Sequence, residues 1–252
     1  MANVIKLRKG LDVNLKGKAA KEEFQVKKPA VYALVPDDFT GMKPKVVVKE
    51  NDVVKVGDSL FVDKNHPEIK FVSPVSGRVT MVERGDRRKV LSVRVEADAE
   101  QQYVDFGKKN VGQMTAQEVK DVPLESGLFG FFRQRPYDVT ANPSDTPKAI
   151  FVSAFNSMPL AADFEYVLRG READFQAGLD ALAKMAKTYL GVSSKQTATA
   201  LTAAKNVEIN FFDGPAPAGN VGVQINHISP INKGEVVWTL GAEEVIFIGH
   251  LL

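Results

Sequence analysis

The chain has 252 residues, 33 basic and 31 acidic side chains and a formal charge of +2. So even a balance gives no sign of the concentrated basic face that a nucleic-acid binder would prefer, and the short basic runs at residues 16–21 and 87–89, which alternate with turn residues, read as solvated loops. The absence of cysteine excludes disulfides, thiolate-bound iron–sulfur clusters and cysteine nucleophiles within this chain. His66, His227 and His250 lie far apart with neither HxxxH nor HxH spacing, so no zinc site is expected. No stretch has the length of a transmembrane helix, and residues 1–9 alternate like a strand rather than a signal peptide. The expected location is the cytosol, or a membrane face reached through partners.

In chain order, residues 1–100 are rich in valine and broken by turn signals. "ANVIKLRKGLDV" alternates around Val4, Ile5 and Leu7, and "PAVYALVP" is a short apolar run. "KPKVVVKENDVVKVGDSLFV" carries two β-branched runs hinged at Glu50, Asn51 and Asp52. "KFVSPVSGRVTMVERGDRRKVLSVRVEA" supplies three further strands, parted at residues 73–77 and 84–87, with Gly77 giving a positive φ or a tight approach. Short strands with Gly, Asn and Asp turns predict a compact β-sandwich or barrel.

Residues 101–252 mix helices with strands. "TAQEVKDVPLESG" predicts a short capped helix with a break near Pro123. "PKAIFVSAF" reads as a strand buried on both faces. In "NSMPLAADFEYVLRG", an Asn/Ser cap, Pro159 in the first turn and Gly170 as stop predict a helix. "READFQAGLDALAKMAKTYLG" continues the 3.6-residue period through Phe175, Leu179, Leu182 and Tyr189 to Gly191, and a further short helix is expected from Ser193 or Ser194. "NVEINFF" and "GEVVWTL" read as strands, "DGPAPAGN" as a loop, and "GAEEVIFIGHLL" as a helix from Gly241. "VGVQINHISP" fits either period, helix being favoured. Strands alternating with helices predict right-handed crossovers and a parallel, Rossmann-like sheet.

Chemistry is sparse. The strand-to-helix turn "VSAFNSMP" lacks the glycines of a dinucleotide fingerprint and places Phe155 where a pyrophosphate would approach. No Walker A pattern is present, prolines interrupt "GPAPAGNVG", and no Ser-His-Asp or paired-carboxylate signature supports a hydrolase. Lys64 follows Asp63 much as the modified lysine sits in a lipoyl or biotinyl carrier. Asn65, His66 and Pro67 stiffen and lengthen that tip, so Lys64 is expected to be unmodified.

The most unusual stretch is "ESGLFGFFRQRPYDV". It reads as a domain-junction loop with its phenylalanines tucked under and its arginines paired to carboxylates, or as a site, drawn from Phe131, Phe132, Arg133 and Arg135, for a flat apolar ring with carbonyl oxygens, or as a subunit contact anchored by the same aromatics and arginines. His227, a further candidate contact for such a ring, follows an alternating apolar run and reads more readily as a satisfied buried histidine than as a catalyst.

Several colinear segments, "IKLRKGLDVNLKGKA", "DFTGMKPKVVVKENDVVKVGDSLFVDKNHPEIKFVSPVSGRVTMVERGDRRKVLSV", "SGLFGFFRQRPYDV", "TPKAIFVSAFNSMPLAAD" and "GVQINHISPINKGEVVWTLGAEEVIFIG", together resemble the A subunits of the Na+-translocating NADH:quinone oxidoreductases (Na+-NQR). The first half is more distantly similar to the C subunit of Rnf complexes. The resemblance implies an α+β, multidomain chain: a carrier-like (biotinyl/lipoyl-like) β-domain over 1–100, then a Rossmann-like α/β domain over 101–252. It further implies a peripheral subunit on the cytoplasmic face of the bacterial inner membrane, docked on the other Na+-NQR subunits and on the membrane-embedded B subunit especially. On that view no cofactor is bound by this chain, flavins, iron–sulfur centres, NADH and quinone being the assembled complex's, while quinone itself is a candidate ligand. A purely structural scaffold is the rival expectation. Family members continue into β-grasp-like and helical regions, so the chain is expected to be a truncated form or a split product.

Overall fold

The computed structural model describes residues 4–17 and 19–252. Residues 1–3, part of the expected first strand, and Lys18 in the first basic run lie outside the described residues. The first strand, β1 (Val4–Lys6), joins neither sheet of the β-rich half that follows it. That half contains β2 (Val31–Leu34), β3 (Pro44–Val46), β4 (Val53–Val54), β5 (Ser59–Asp63), β6 (Lys70–Val72), β7 (Gly77–Arg84) and β8 (Val90–Ala97). They form two antiparallel sheets, ordered β2-β8-β7-β4 and β3-β5-β6.

In β7 and β8 the β-branched alternation turns every second side chain inward and buries Val79, Val93 and Val95. β5 departs from it: the register slips between Ser59 and Phe61, and Leu60, Phe61, Val62 and Asp63 are all buried, with Phe71 of β6 beside them. The hinge at Asn51 takes a left-handed φ of 75°, with Asp52 Oδ2 accepting from the Lys49 amide at 2.7 Å. At Gly77 a Cβ would lie 1.8 Å from the Glu96 carbonyl oxygen, so β7 and β8 pair there only because the side chain is absent.

The second half begins with α1 (Ala116–Ser126), closed at its start by a reciprocal capping box between Thr115 and Glu118. The expected break at Pro123 does not occur. The helix runs through it, and burial of Val119, Val122 and Leu124 offsets a proline cost of about 3 kcal/mol. Next come β9 (Arg133–Arg135), β10 (Val139–Thr140), β11 (Ile150–Ser153), α2 (Phe164–Leu168), α3 (Glu172–Met185), β12 (Thr188–Ser193), α4 (Thr199–Thr202), β13 (Glu208–Asp213), α5 (Val221–Ile228), β14 (Val237–Gly241) and α6 (Ala242–Leu251).

One sheet runs β1-β13-β12-β11-β14-β9-β10. Its first five strands are parallel, whereas β9 pairs antiparallel with β14 and β10 with β9. Here β1 departs from the sequence reading, extending the α/β sheet beside β13. The helix expected from Asn156 through Pro159 is instead a loop. Asn156 Oδ1 captures the Met158 amide at 2.9 Å, Leu160 is left-handed at φ 58°, and α2 starts only where Asp163 caps Glu165. Tyr189 and Gly191 belong to β12, since the apolar period of α3 runs on across the turn into "TYLGVS". α4 begins at Thr199, later than Ser193 or Ser194. The ambiguous "VGVQINHISP" is helical over α5, capped by Asn220.

A single hydrophobic cluster joins the halves: Leu60, Phe61 and Phe71 continue into Val119, Phe129, Phe132 and Trp238. Phe39 bridges them, 4.5 Å from Phe71 and 6.1 Å from Phe131 between ring centroids.

Candidate functional site: a cavity at the switch point of the sheet

From β11 the chain builds β12 and β13 on one side and later places β14 on the other. Strand order therefore reverses between β11 and β14, and the crevice beyond their carboxyl ends is where an open α/β sheet offers a ligand site. A cavity of about 810 Å³ opens there. Residues 153–158 after β11 line it, with Asn220 and Val221 at the start of α5 and Gly241, Glu243 and Glu244 at the start of α6. Leu34, Asp38 and Phe39 close it from the β-rich half, and Phe131 and Arg133 stand between.

The aromatic–arginine stretch is not a loop. A 3-10 turn at Leu128–Phe131 leads into β9, which returns as β10. Phe131 is 41% exposed and lines the cavity. Phe132 is fully buried, stacked on Phe129 at 4.8 Å and edge-on to Trp238 at 5.8 Å, so it serves the core and does not reach the cavity. Strand alternation puts Arg133 and Arg135 on one face and Gln134 on the other. Gln134 accepts the Trp238 indole N–H at 3.3 Å.

Arg133 lines the cavity with Nε 3.1 Å from Asp138 Oδ1, and a second guanidinium nitrogen donates to the Asp138 carbonyl. Arg135 Nε is 3.4 Å from the same carboxylate oxygen, outside hydrogen-bond geometry, and its side chain is not part of the lining.

The remaining candidates lie elsewhere. His227 is an exposed residue of α5 with Nδ1 2.9 Å from the Val223 carbonyl, away from the lining and not buried as expected. Lys64 is exposed in the β5–β6 connection, its amide donating to the Lys43 carbonyl at 2.7 Å. Asp63 beside it is buried and accepts from the Asn65 amide at 3.0 Å. Among the described residues no cluster of three or more His, Asp or Glu side chains could hold a metal ion.

Sequence reasoning missed Glu244. It is the third residue of α6, in the first turn beside Glu243. Its Oε2 is buried with no hydrogen-bond partner among the described residues. Burial pushes this carboxyl above the ordinary glutamate range and Glu243 adds to that, while the amides of Glu244 and Gly241 pull it back only in part. The doublet in "GAEEV" looks like an ordinary acidic first turn complementing a helix dipole, which is why it carries no signal by itself.

A phosphate-bearing nucleotide or flavin does not fit this crevice. The turn after β11 has no glycine, Asn220 already takes the Gly222 amide at 2.8 Å, and the start of α6 presents two carboxyl groups where an anion would sit.

The family model described as the NqrA N-terminal barrel-sandwich hybrid domain matches residues 5–98, and that of the NqrA second alpha/beta domain matches residues 114–252. Among curated proteins, the chain is 34% identical over 251 residues to the A subunit of the Na(+)-translocating NADH-quinone reductase of Pseudomonas aeruginosa (strain UCBPP-PA14), covering 98% of this chain and 56% of the relative. The same subunit of Yersinia pseudotuberculosis serotype O:1b (strain IP 31758) is 35% identical over 254 residues, and that of Saccharophagus degradans (strain 2-40 / ATCC 43961 / DSM 17024) 36% over 251, with the same coverages of 98% and 56%. The chain thus spans about half the length of the curated relatives it matches. With a barrel-sandwich hybrid half followed by the second alpha/beta half in family order, the chain belongs to the NqrA family.

Proposed function

We propose that this chain forms part of a peripheral subunit of a respiratory Na+-translocating NADH:quinone reductase, and that its switch-point cavity contributes to binding a quinone ring of the ubiquinone type. In this reading it docks on the other subunits, the membrane-embedded B subunit foremost, at the cytoplasmic face of the inner membrane. Among its described residues no helix is long and apolar enough to cross a membrane, so partners would hold it there. Redox centres belong to those partners in this account.

One observation carries the quinone reading. Where a nucleotide fold would place glycines, this crevice has Phe39, Phe131 and Phe155 around it and Arg133 on its wall. A flat, neutral ring with two carbonyl acceptors needs an apolar slot and a few fixed donors. Phe131 and Phe39 supply faces and edges; Arg133, oriented by Asp138, supplies a charged donor.

Trp238 is the single tryptophan and lies on β14, whose next residues Thr239 and Leu240 line the cavity. A short-chain, water-soluble quinone is expected to quench its fluorescence saturably. Arg133→Ala should weaken that binding about tenfold or more, the worth of a hydrogen bond to a charged group. Unchanged affinity in both Arg133→Ala and Phe131→Ala would remove these residues from a site. It would favour the scaffold reading, in which the Arg133–Asp138 pair only braces the β9–β10 hairpin.

A further inference from the structure

The cavity contains one acid that the fold leaves unanswered. Glu244 reaches it from the first turn of α6, its buried Oε2 has no hydrogen-bond partner among the described residues, and Glu243 is adjacent. A buried carboxylate without a partner is costly, whereas the neutral acid is cheap and carries an O–H donor. Arg133 lines the same cavity from β9. Oε2 is itself closed off over Gly241, so the other carboxyl oxygen of Glu244 is the one that can meet a ligand, and α6 and β9 each bring one candidate donor to the lining.

We propose that Glu244, as the neutral acid, donates a hydrogen bond to one carbonyl oxygen of a quinone in this cavity, as the counterpart of the Arg133 donor. The proposal rests on the quinone reading above and names a specificity-determining residue within it. Ionisation of Glu244 would replace the donor by a negative charge facing a carbonyl oxygen, so ligand affinity should fall as pH rises. Burial and the neighbouring Glu243 both raise the pH at which this happens.

The other charged groups lining the cavity are Asp38, Arg133 and Glu243. On α3, which packs against α6, Asp174 is engaged by His250 at 3.1 Å and Arg171 at 3.6 Å. Asp180 there accepts from Gln176 at 2.7 Å, and Lys184 donates to the Gly112 and Met114 carbonyls. Glu172 begins the helix at the end near His250. Asp38 is therefore the control that matters most.

The test is a quinone titration of the 252-residue chain from pH 5 to 9, with a short-chain ubiquinone analogue as probe and folding checked by circular dichroism. Wild type should lose about tenfold in affinity as Glu244 ionises. Glu244→Gln, which keeps an N–H donor, should bind with little pH dependence. Glu244→Ala should bind about tenfold more weakly at low pH, and Asp38→Asn should keep the wild-type slope. By linkage, saturating quinone should move the Glu244 carboxyl titration, followed by carbon-13 NMR, upward by about one pH unit. A pH-independent wild-type affinity, or a slope that survives in Glu244→Gln or vanishes in Asp38→Asn, overturns the proposal while leaving the quinone site standing. Absence of quinone binding at every pH, with an unshifted Glu244 titration, brings down both.

Discussion

Gln224 of α5 is clamped between two strands beside the cavity: its Nε2 donates to Ser153 Oγ at 3.0 Å, and its Oε1 occupies the space over Gly191, 2.1 Å from where a Cβ would lie. Gln224 is 1% exposed and also donates to the Ala218 carbonyl at 3.3 Å, so it cannot swing aside. Gly191→Ala is expected to cost about 2 kcal/mol through overpacking and lower Tm by about 4–8 °C. Adding Gln224→Ala should recover part of that loss. A fully additive double variant, read by thermal melts, would contradict the clamp.

The crossing of α3 and α6 depends on two glycines. A Cβ on Gly249 would lie 1.7 Å from the Asp174 carbonyl oxygen, and one on Gly178 would lie 2.1 Å from that of Val245. Backbone cannot yield as a side-chain tip can, so Gly249→Ala or Gly178→Ala should cost about 3 kcal/mol or more in urea denaturation. Gly170 is the contrast: it is left-handed at φ 74° with nothing near its missing Cβ, so Gly170→Ala should cost only about 1 kcal/mol.

Gln134 ties the β9 hairpin to the core. It accepts from the Trp238 indole at 3.3 Å and from the Asn142 amide at 3.1 Å, and donates to Asp145 Oδ2 at 2.9 Å. Gln134→Ala strands the buried indole N–H and is expected to cost about 2 kcal/mol. The emission of Trp238 should shift as its hydrogen bond is lost; an unchanged spectrum and melt would remove this tie.

Glu244 makes stability depend on pH in a direction opposite to most carboxylates. Its pKa is raised on folding, so between the unfolded and folded values the native state binds the extra proton. The contribution is present in full below the ordinary glutamate range and is lost as pH rises through the folded value. Glu244→Gln should therefore be the more stable form above that window, its advantage over wild type growing as pH rises through it. Melts whose difference is the same at every pH would contradict this assignment.

The β-rich half was legible because period-2 valines and left-handed turns act locally, as at Asn51 and Gly77. The second half resisted where tertiary contacts decide. Arg133, Gln134 and Arg135 look like a loop until β14 supplies a partner strand. Tyr189 continues the spacing of α3, yet pairs with Phe151 in the sheet. Asn156 reads as a helix cap and instead closes a turn two residues on.

The site divides in the same way. Phe131 and Arg133 stand out in an odd aromatic stretch, but Phe39, Asn156 and Glu244 come from distant segments that only the topology gathers. Phe132 and His227 have suitable chemistry but lie outside this cavity: one faces the core, the other solvent.

The most direct test of the central claim is a two-dimensional NMR titration of the 252-residue chain with a short-chain, water-soluble quinone, following backbone amides and the Trp238 indole. The account predicts saturable shifts confined to residues 153–158, Phe131, Arg133 and the start of α6. Saturable shifts clustered elsewhere, or no saturable shift at all, would contradict a quinone site at the switch point of the sheet.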